Sequence, residues 1–131
     1  MAELPTQVVL GFLGDLNDSN LAEAFDRVDP DATFWLAGKE WSVGGTHDRD
    51  GLQKLLGEKV GPLLTEPLEV RIVGITAEGE RVAVEVEVSG PTKDGSRYEN
   101  QMHILYVVRD GKIVTVKEYH DTLHASLVIG P

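Results

Sequence analysis

The hydrophobic side chains change their period along this chain. Val8, Val9, Phe12, Leu13 and Leu16 recur at i, i+3 and i+4, the stripe of an amphipathic helix over residues 5–17. Pro5 or Thr6 opens it and Asn17-Asp18-Ser19-Asn20 closes it. Ser19 or Asn20 caps a second helix, Leu21 to Val28, with Leu21, Ala24, Phe25 and Val28 on one face, and Asp29-Pro30-Asp31 stops it. A short strand, Ala32 to Ala37, turns at Gly38-Lys39-Glu40 into another, Trp41 to Val43. Gly44-Gly45 breaks the pattern, and Thr46 to Arg49 reads as a loop. Asp50 caps a third helix over residues 51–63 that buries Leu52, Leu55, Leu56 and Val60. Four long strands follow, Leu68–Ala77, Arg81–Ser89, Tyr98–Arg109 and Lys112 to Thr122, and then a short apolar tail, Leu123–Ile129. Asp110-Gly111 joins the last two strands, because both central positions of a type I′ turn need positive φ. Helices first and a strand meander afterwards predict one α+β domain over residues 1–131, with about three helices covering one face of a strongly curved sheet.

Composition narrows the function classes. With 22 acidic against 12 basic residues the net charge is −10, which repels phosphate backbones and anionic lipid, so neither nucleic acid nor a membrane is expected as a partner. The chain has no cysteine, which removes disulfides, thiolate metal sites and a Cys nucleophile and suits a cytoplasmic location. MAELPTQVVLGFLGDLND lacks the basic and apolar blocks of a signal peptide. No apolar run approaches the roughly 18 residues of a membrane span.

Candidate chemistry gathers on the final hairpin. Alternation on the last strand puts Val114, Val116, Glu118 and His120 on one face, and Thr115, Lys117, Tyr119 and Asp121 on the other. The first face begins apolar, which points Glu118 and His120 into a cup where burial moves both pKa values toward neutrality; the plainer alternative is a solvated pair at the rim. Periodicity does not orient His103, since Met102, Ile104 and Tyr106 oppose Leu105 and Val107. On the preceding strand, alternation buries Val82, Val84, Val86 and Val88 and leaves Glu85 and Glu87 in water. Phe12, Phe34, Trp35 and Trp41 supply flat apolar surface, Trp41 beside the cup's mouth. His47, in a loop able to act as a lid, lies near Asp48 and Asp50, but their spacing matches no standard metal motif and no metal is expected.

The segments FLGDLNDSNL, VDPDATF, GERVAVEVEV and DGKIVTVKEYHDTL, in this order and spacing, resemble a cone-shaped α+β fold across residues 4–127. That fold is shared by nuclear transport factor 2, ketosteroid isomerase, limonene epoxide hydrolase and the SnoaL-like polyketide cyclases. The resemblance implies a homodimer and a deep, mostly apolar pocket enclosed between helices and a mainly antiparallel, mixed sheet. It does not imply one reaction. The isomerase's Tyr donor falls on Phe12, its Asp base on Leu36 and its second acid on His103. The hydrolase's Arg and two Asp fall on Glu85, Glu87 and Glu118, and its Tyr and Asn on Phe34 and Leu36. Neither set is present. The ending Asp121-Thr122-Leu123 resembles the cyclases, in which an Asp on this strand is the acid/base. The family register also turns Gln101, His103, Glu85 and Glu87 inward, against the alternation of the valine strand.

These readings lead to a cofactor-free acid/base enzyme that isomerises, cyclises or hydrates an apolar or aromatic, carbonyl-bearing small molecule. Its catalytic candidates are Glu118, His103, His120 and Asp121; the expected substrate contacts are Trp41, Trp35, Phe12, Gln101, Leu36 and Glu87. The alternative is a non-catalytic ligand-binding or dimerisation module of the same fold.

Overall fold

Pro5 opens α1 (Pro5–Asn17), a position where its missing N–H costs nothing, and the Gln7 side chain accepts the Leu4 N–H at 3.0 Å. In the computed structural model the described residues are 4–131; Met1–Glu3, the start of the stretch read as lacking a signal peptide, lie outside them. Val8, Val9, Phe12 and Leu13 form the buried stripe of α1 as expected. The second helix, α2 (Leu21–Asp26), ends earlier than the sequence pattern implied, because Val28 already begins β1 (Val28–Leu36). Pro30 is tolerated inside that strand near its start.

Residues 38–44 differ from expectation. Trp41–Val43 is not a strand but part of a tight double turn, in which Trp41 N–H bonds Gly38 C=O and Gly44 N–H bonds Trp41 C=O. The strand that pairs with β1 is β2 (Gly45–Asp48), the segment read as a loop. His47 is therefore a sheet residue, and its Nε2 lies 2.7 Å from Val43 C=O. Asp48, not Asp50, caps α3 (Arg49–Leu55) by accepting the Gly51 N–H at 2.7 Å. The helix runs on through a π turn, Leu56–Val60, and a 3-10 turn, Gly61–Leu63.

The remaining strands are β3 (Glu69–Glu78), β4 (Arg81–Pro91), β5 (Arg97–Arg109) and β6 (Lys112–His120). They form one open six-stranded sheet in the order β2-β1-β6-β5-β4-β3. Only β1 and β6 run parallel, so the sheet is mixed. Asp110 and Gly111 have φ of +52° and +76°, the type I′ geometry expected between β5 and β6. Two register shifts reset the faces. Val73 is extra between Ile72↔Val86 and Gly74↔Glu85, and Val114 is extra between Val108↔Ile113 and Val107↔Thr115. The second bulge corrects the expected facing of β6: Ile113, not Val114, is fully buried, and Val116 again faces inward. Strand β6 stops at His120, and the apolar tail is a helix, α4 (Thr122–Ile129). Among the described residues no helix is long and apolar enough to cross a membrane.

The helices cover the inner face of the sheet. Val82, Val84, Val86 and Val88 are buried there, so alternation oriented β4 correctly and the family register did not. Asn17, at the end of α1, holds the edge strand β3: its Nδ2 donates to Val70 C=O and its Oδ1 accepts Val70 N–H, both at 2.8 Å. One amide thereby satisfies both main-chain groups that an edge strand leaves free.

Candidate functional site

Between the helices and the inner face lies a cavity of about 210 Å³. Phe12 and Leu16 of α1, Leu52 and Leu55 of α3, and Ile129 of α4 wall one side. The sheet supplies Leu36, Ile104 and Val116 opposite them. Into this apolar space project two titratable side chains from β6, Glu118 and His120, and two phenols from β5, Tyr98 and Tyr106.

Glu118 stands between apolar cross-strand neighbours, Leu36 on β1 and Ile104 on β5. Direct neighbours on pleated strands share a face, so the carboxyl is flanked on both sides by hydrocarbon. Among the described residues no cation or hydrogen-bond donor meets it. It keeps some accessible surface because it faces the cavity, yet burial alone raises its pKa from 4.5 to about 7. His120, two residues on, lies opposite Met102 and packs edge-on against Trp41, ring centroids 5.5 Å apart. Both of its ring nitrogens are buried without a hydrogen-bond partner. Burial lowers its pKa, opposed in part by the nearby main-chain groups of Ala37 and Asp121, which lie outside good hydrogen-bond geometry, and by the Asp121 charge. A carboxyl pushed up and an imidazole pushed down, two residues apart in a mostly apolar cavity, are suited to exchanging protons near neutral pH.

Trp41 closes the cavity at the double turn. Its Nε1 donates to Gly130 C=O at 2.7 Å, tying the turn to the end of α4. Phe12 and Leu36 line the cavity as expected. The other anticipated residues do not. His103 and Gln101 are exposed on the outer face of β5, His103 directly opposite Glu85 and Tyr119. Their inward neighbours are Met102 and Ile104, so the family register for this strand is off by one residue, which swaps the faces. Glu87 is likewise on the outer face, paired with Arg71 at 2.7 Å. Trp35 is outward on β1, 5.0 Å from the Tyr119 ring and under the Lys117 ammonium. Asp121 lies past the end of β6, and its carboxylate caps α4 by accepting the His124 N–H at 3.0 Å. A helix cap occupies the group that the cyclase resemblance made an acid/base.

Tyr98 and Asn100 were missed. Both are buried on the inner face of β5, and Asn100 Nδ2 donates to the Tyr98 hydroxyl at 3.0 Å. A signal was present in the sequence. The opposite face of β5 begins with Arg97 and Glu99 and ends with Arg109, and charges at both ends of one face mark it as the solvated one.

Comparison with known proteins follows the same outline. The family described as SnoaL-like domain matches residues 9–116. No curated protein matches the chain. Among solved structures, TerC co-crystallised with polyporic acid is 19% identical, with a TM-score of 0.81 over 95% of this chain and 97% of its own. IdmH, a proposed polyketide cyclase from Streptomyces antibioticus, is 21% identical, with a TM-score of 0.78 over 93% and 95%. A nuclear transport factor 2-like protein of unknown function from Burkholderia pseudomallei is 18% identical, with a TM-score of 0.83 over 97% and 98%. At these identities the likeness is one of fold.

Proposed function

The chain belongs to the SnoaL-like domain family, and from that premise we propose that residues 1–131 form one domain whose cavity binds a small apolar or aromatic molecule bearing a carbonyl and moves a proton on it. The observation that carries this reading is the pair Glu118 and His120, neither hydrogen-bonded to another side chain, facing a mostly apolar cavity. Ionised Glu118 takes a proton from the carbon beside the carbonyl and, now the acid, returns it to another carbon of the same substrate, while the N–H of neutral His120 steadies the negative charge that develops on the carbonyl oxygen, with no metal or organic cofactor. Trp41, Phe12 and Leu36 hold the apolar body of the substrate. TerC was co-crystallised with a small organic acid, polyporic acid, which supports a small-molecule occupant here.

With Glu118 as base, turnover rises as pH passes its pKa of about 7. Glu118→Gln abolishes turnover while fold and ligand affinity persist; activity surviving that change would sink the assignment. A non-catalytic binder is the second reading, favoured by Phe12 and Leu36 standing where the isomerase has its donor and base. Ligand affinity that ignores both Glu118→Gln and pH, with no turnover of any ketone, decides for the binder.

A further inference from the structure

The orientation of the Asn100 amide fixes what Tyr98 can do. Asn100 Oδ1 accepts the Asp121 N–H at 2.9 Å, and Nδ2 donates to Asp121 C=O at 3.0 Å. Reversing the amide would set donor against donor and acceptor against acceptor, so the Asp121 main chain allows one orientation only. The remaining Nδ2 hydrogen is the one given to the Tyr98 oxygen, and Tyr98 is the acceptor in that bond. Asn100 Oδ1 is turned to the Asp121 N–H and makes no bond to the phenol. Among the described residues no other group takes the phenolic proton. The ring cannot swing away to find one, because it is 4% exposed and stacked on His124 at 5.5 Å between centroids. His124 is itself held by accepting the Glu99 N–H on Nε2 at 3.0 Å. Tyr98 lines the cavity, and among the described residues its hydroxyl proton has no acceptor.

We infer that Tyr98 is the specificity-determining donor of this cavity, presenting its O–H to a ligand oxygen that can only accept, a ketone or ether rather than an amine or a plain hydrocarbon. The inference rests on the cavity being a small-molecule site. Burial and the charge of Glu118 both raise the Tyr98 pKa, so the phenol keeps its proton through the physiological range and remains a donor. Asn100 is a positioning residue: it occupies the lone pair of Tyr98 that would otherwise invite a donor ligand. Tyr106, the other phenol in the cavity, has no such clamp and is not assigned this role.

The experiment uses the intact protein with two bicyclic probes of nearly equal shape, 1-tetralone labelled with carbon-13 at its carbonyl and tetralin, which lacks the oxygen. Wild type is expected to hold tetralone with its carbonyl stretch moved to lower frequency than in an alkane solvent. Tyr98→Phe removes one oxygen, weakens tetralone by roughly tenfold, returns the stretch to its alkane position and leaves tetralin affinity unchanged. In wild type enriched at the tyrosine ζ carbon, the Tyr98 resonance moves on adding tetralone and stays still with tetralin. A carbonyl stretch still lowered in Tyr98→Phe, or lost instead on His120→Phe, overturns the assignment and leaves the site standing. If neither probe perturbs the Trp41 or His120 resonances of wild type, the small-molecule reading falls together with this one.

Discussion

Glu118 titrates in a setting that works against the fold. Below its unfolded pKa of 4.5 both states carry the proton; from there to about 7 only the folded state keeps it. The folded state then binds more protons than the unfolded one, so stability from this group falls as pH rises through that window. Glu118→Gln removes the penalty. At about pH 8 the variant is expected to be more stable than wild type by on the order of 2–3 kcal/mol, and below about pH 4 the two should melt together. Thermal melts across the pH range check this, and an acidic carboxyl with no penalty would show no difference at either end. His120 acts in the opposite sense: its lowered pKa means the unfolded state charges first as pH falls below 6.5, so stability drops there. His103 is the contrasting case. Exposed on the outer face, it should tolerate His103→Ala with a change within about 0.5 kcal/mol and with ligand affinity intact; a lost ligand would return it to the site.

Two asparagines do similar work at the level of elements. Asn17 holds both main-chain groups of Val70 and fixes the edge strand against α1; Asn100 holds both of Asp121 and fixes where β6 ends and α4 starts. The far end of α4 depends on the double turn, through the Trp41 bond to Gly130. Trp41→Phe keeps the ring over His120 and deletes that bond, at a cost of about 1 kcal/mol. Faster amide exchange confined to α4 is the expected readout; unchanged exchange would mean that the helix is held by its apolar contacts alone. The turn has little tolerance of its own. A Cβ at Gly44 would run into the Gly38 carbonyl oxygen, part of the backbone rather than a movable side chain. Gly44→Ala is therefore expected to displace Trp41, weaken ligand binding more than Trp41→Phe does and alter the near-ultraviolet circular dichroism of the tryptophans.

At the scale of the whole molecule the sheet has two unlike faces. The inner one carries the cavity and the helices. The outer one presents Tyr119, 46% exposed, beside Trp35 and Lys117, with the Glu87–Arg71 pair farther along the sheet. The homodimer proposed with the family fold would cover this face. Light scattering should then report twice the 14.3 kDa of the chain, and the double change Trp35→Glu with Tyr119→Glu should halve it. Because each copy carries a net charge of −10, association should strengthen as salt is raised. A monomer at all salt concentrations would remove the dimer.

Local pattern was enough wherever one side of an element is apolar and the other is not. The stripe of α1, the alternation of β4, the Asp110-Gly111 turn and the placing of Glu118 and His120 toward the cup are of that kind, since period and turn chemistry reside in neighbouring residues. On β5 both faces carry large apolar side chains in the middle of the strand, so the charges at its ends only favour one orientation, and packing against the helices fixes Met102 in and His103 out. The Ile-Val pairs at 72–73 and 113–114 look alike whether or not one residue bulges. The choice comes from register with the strand across the sheet. Trp41–Val43 looks extended locally and is turned instead, and the apolar tail becomes α4. Asp121 has the chemistry of an acid in any sequence; that it caps a helix, while Asn100 reads its main chain and sets the Tyr98 proton free toward the cavity, depends on contacts spanning 21 residues of chain. Such contacts exist only once the sheet has closed them.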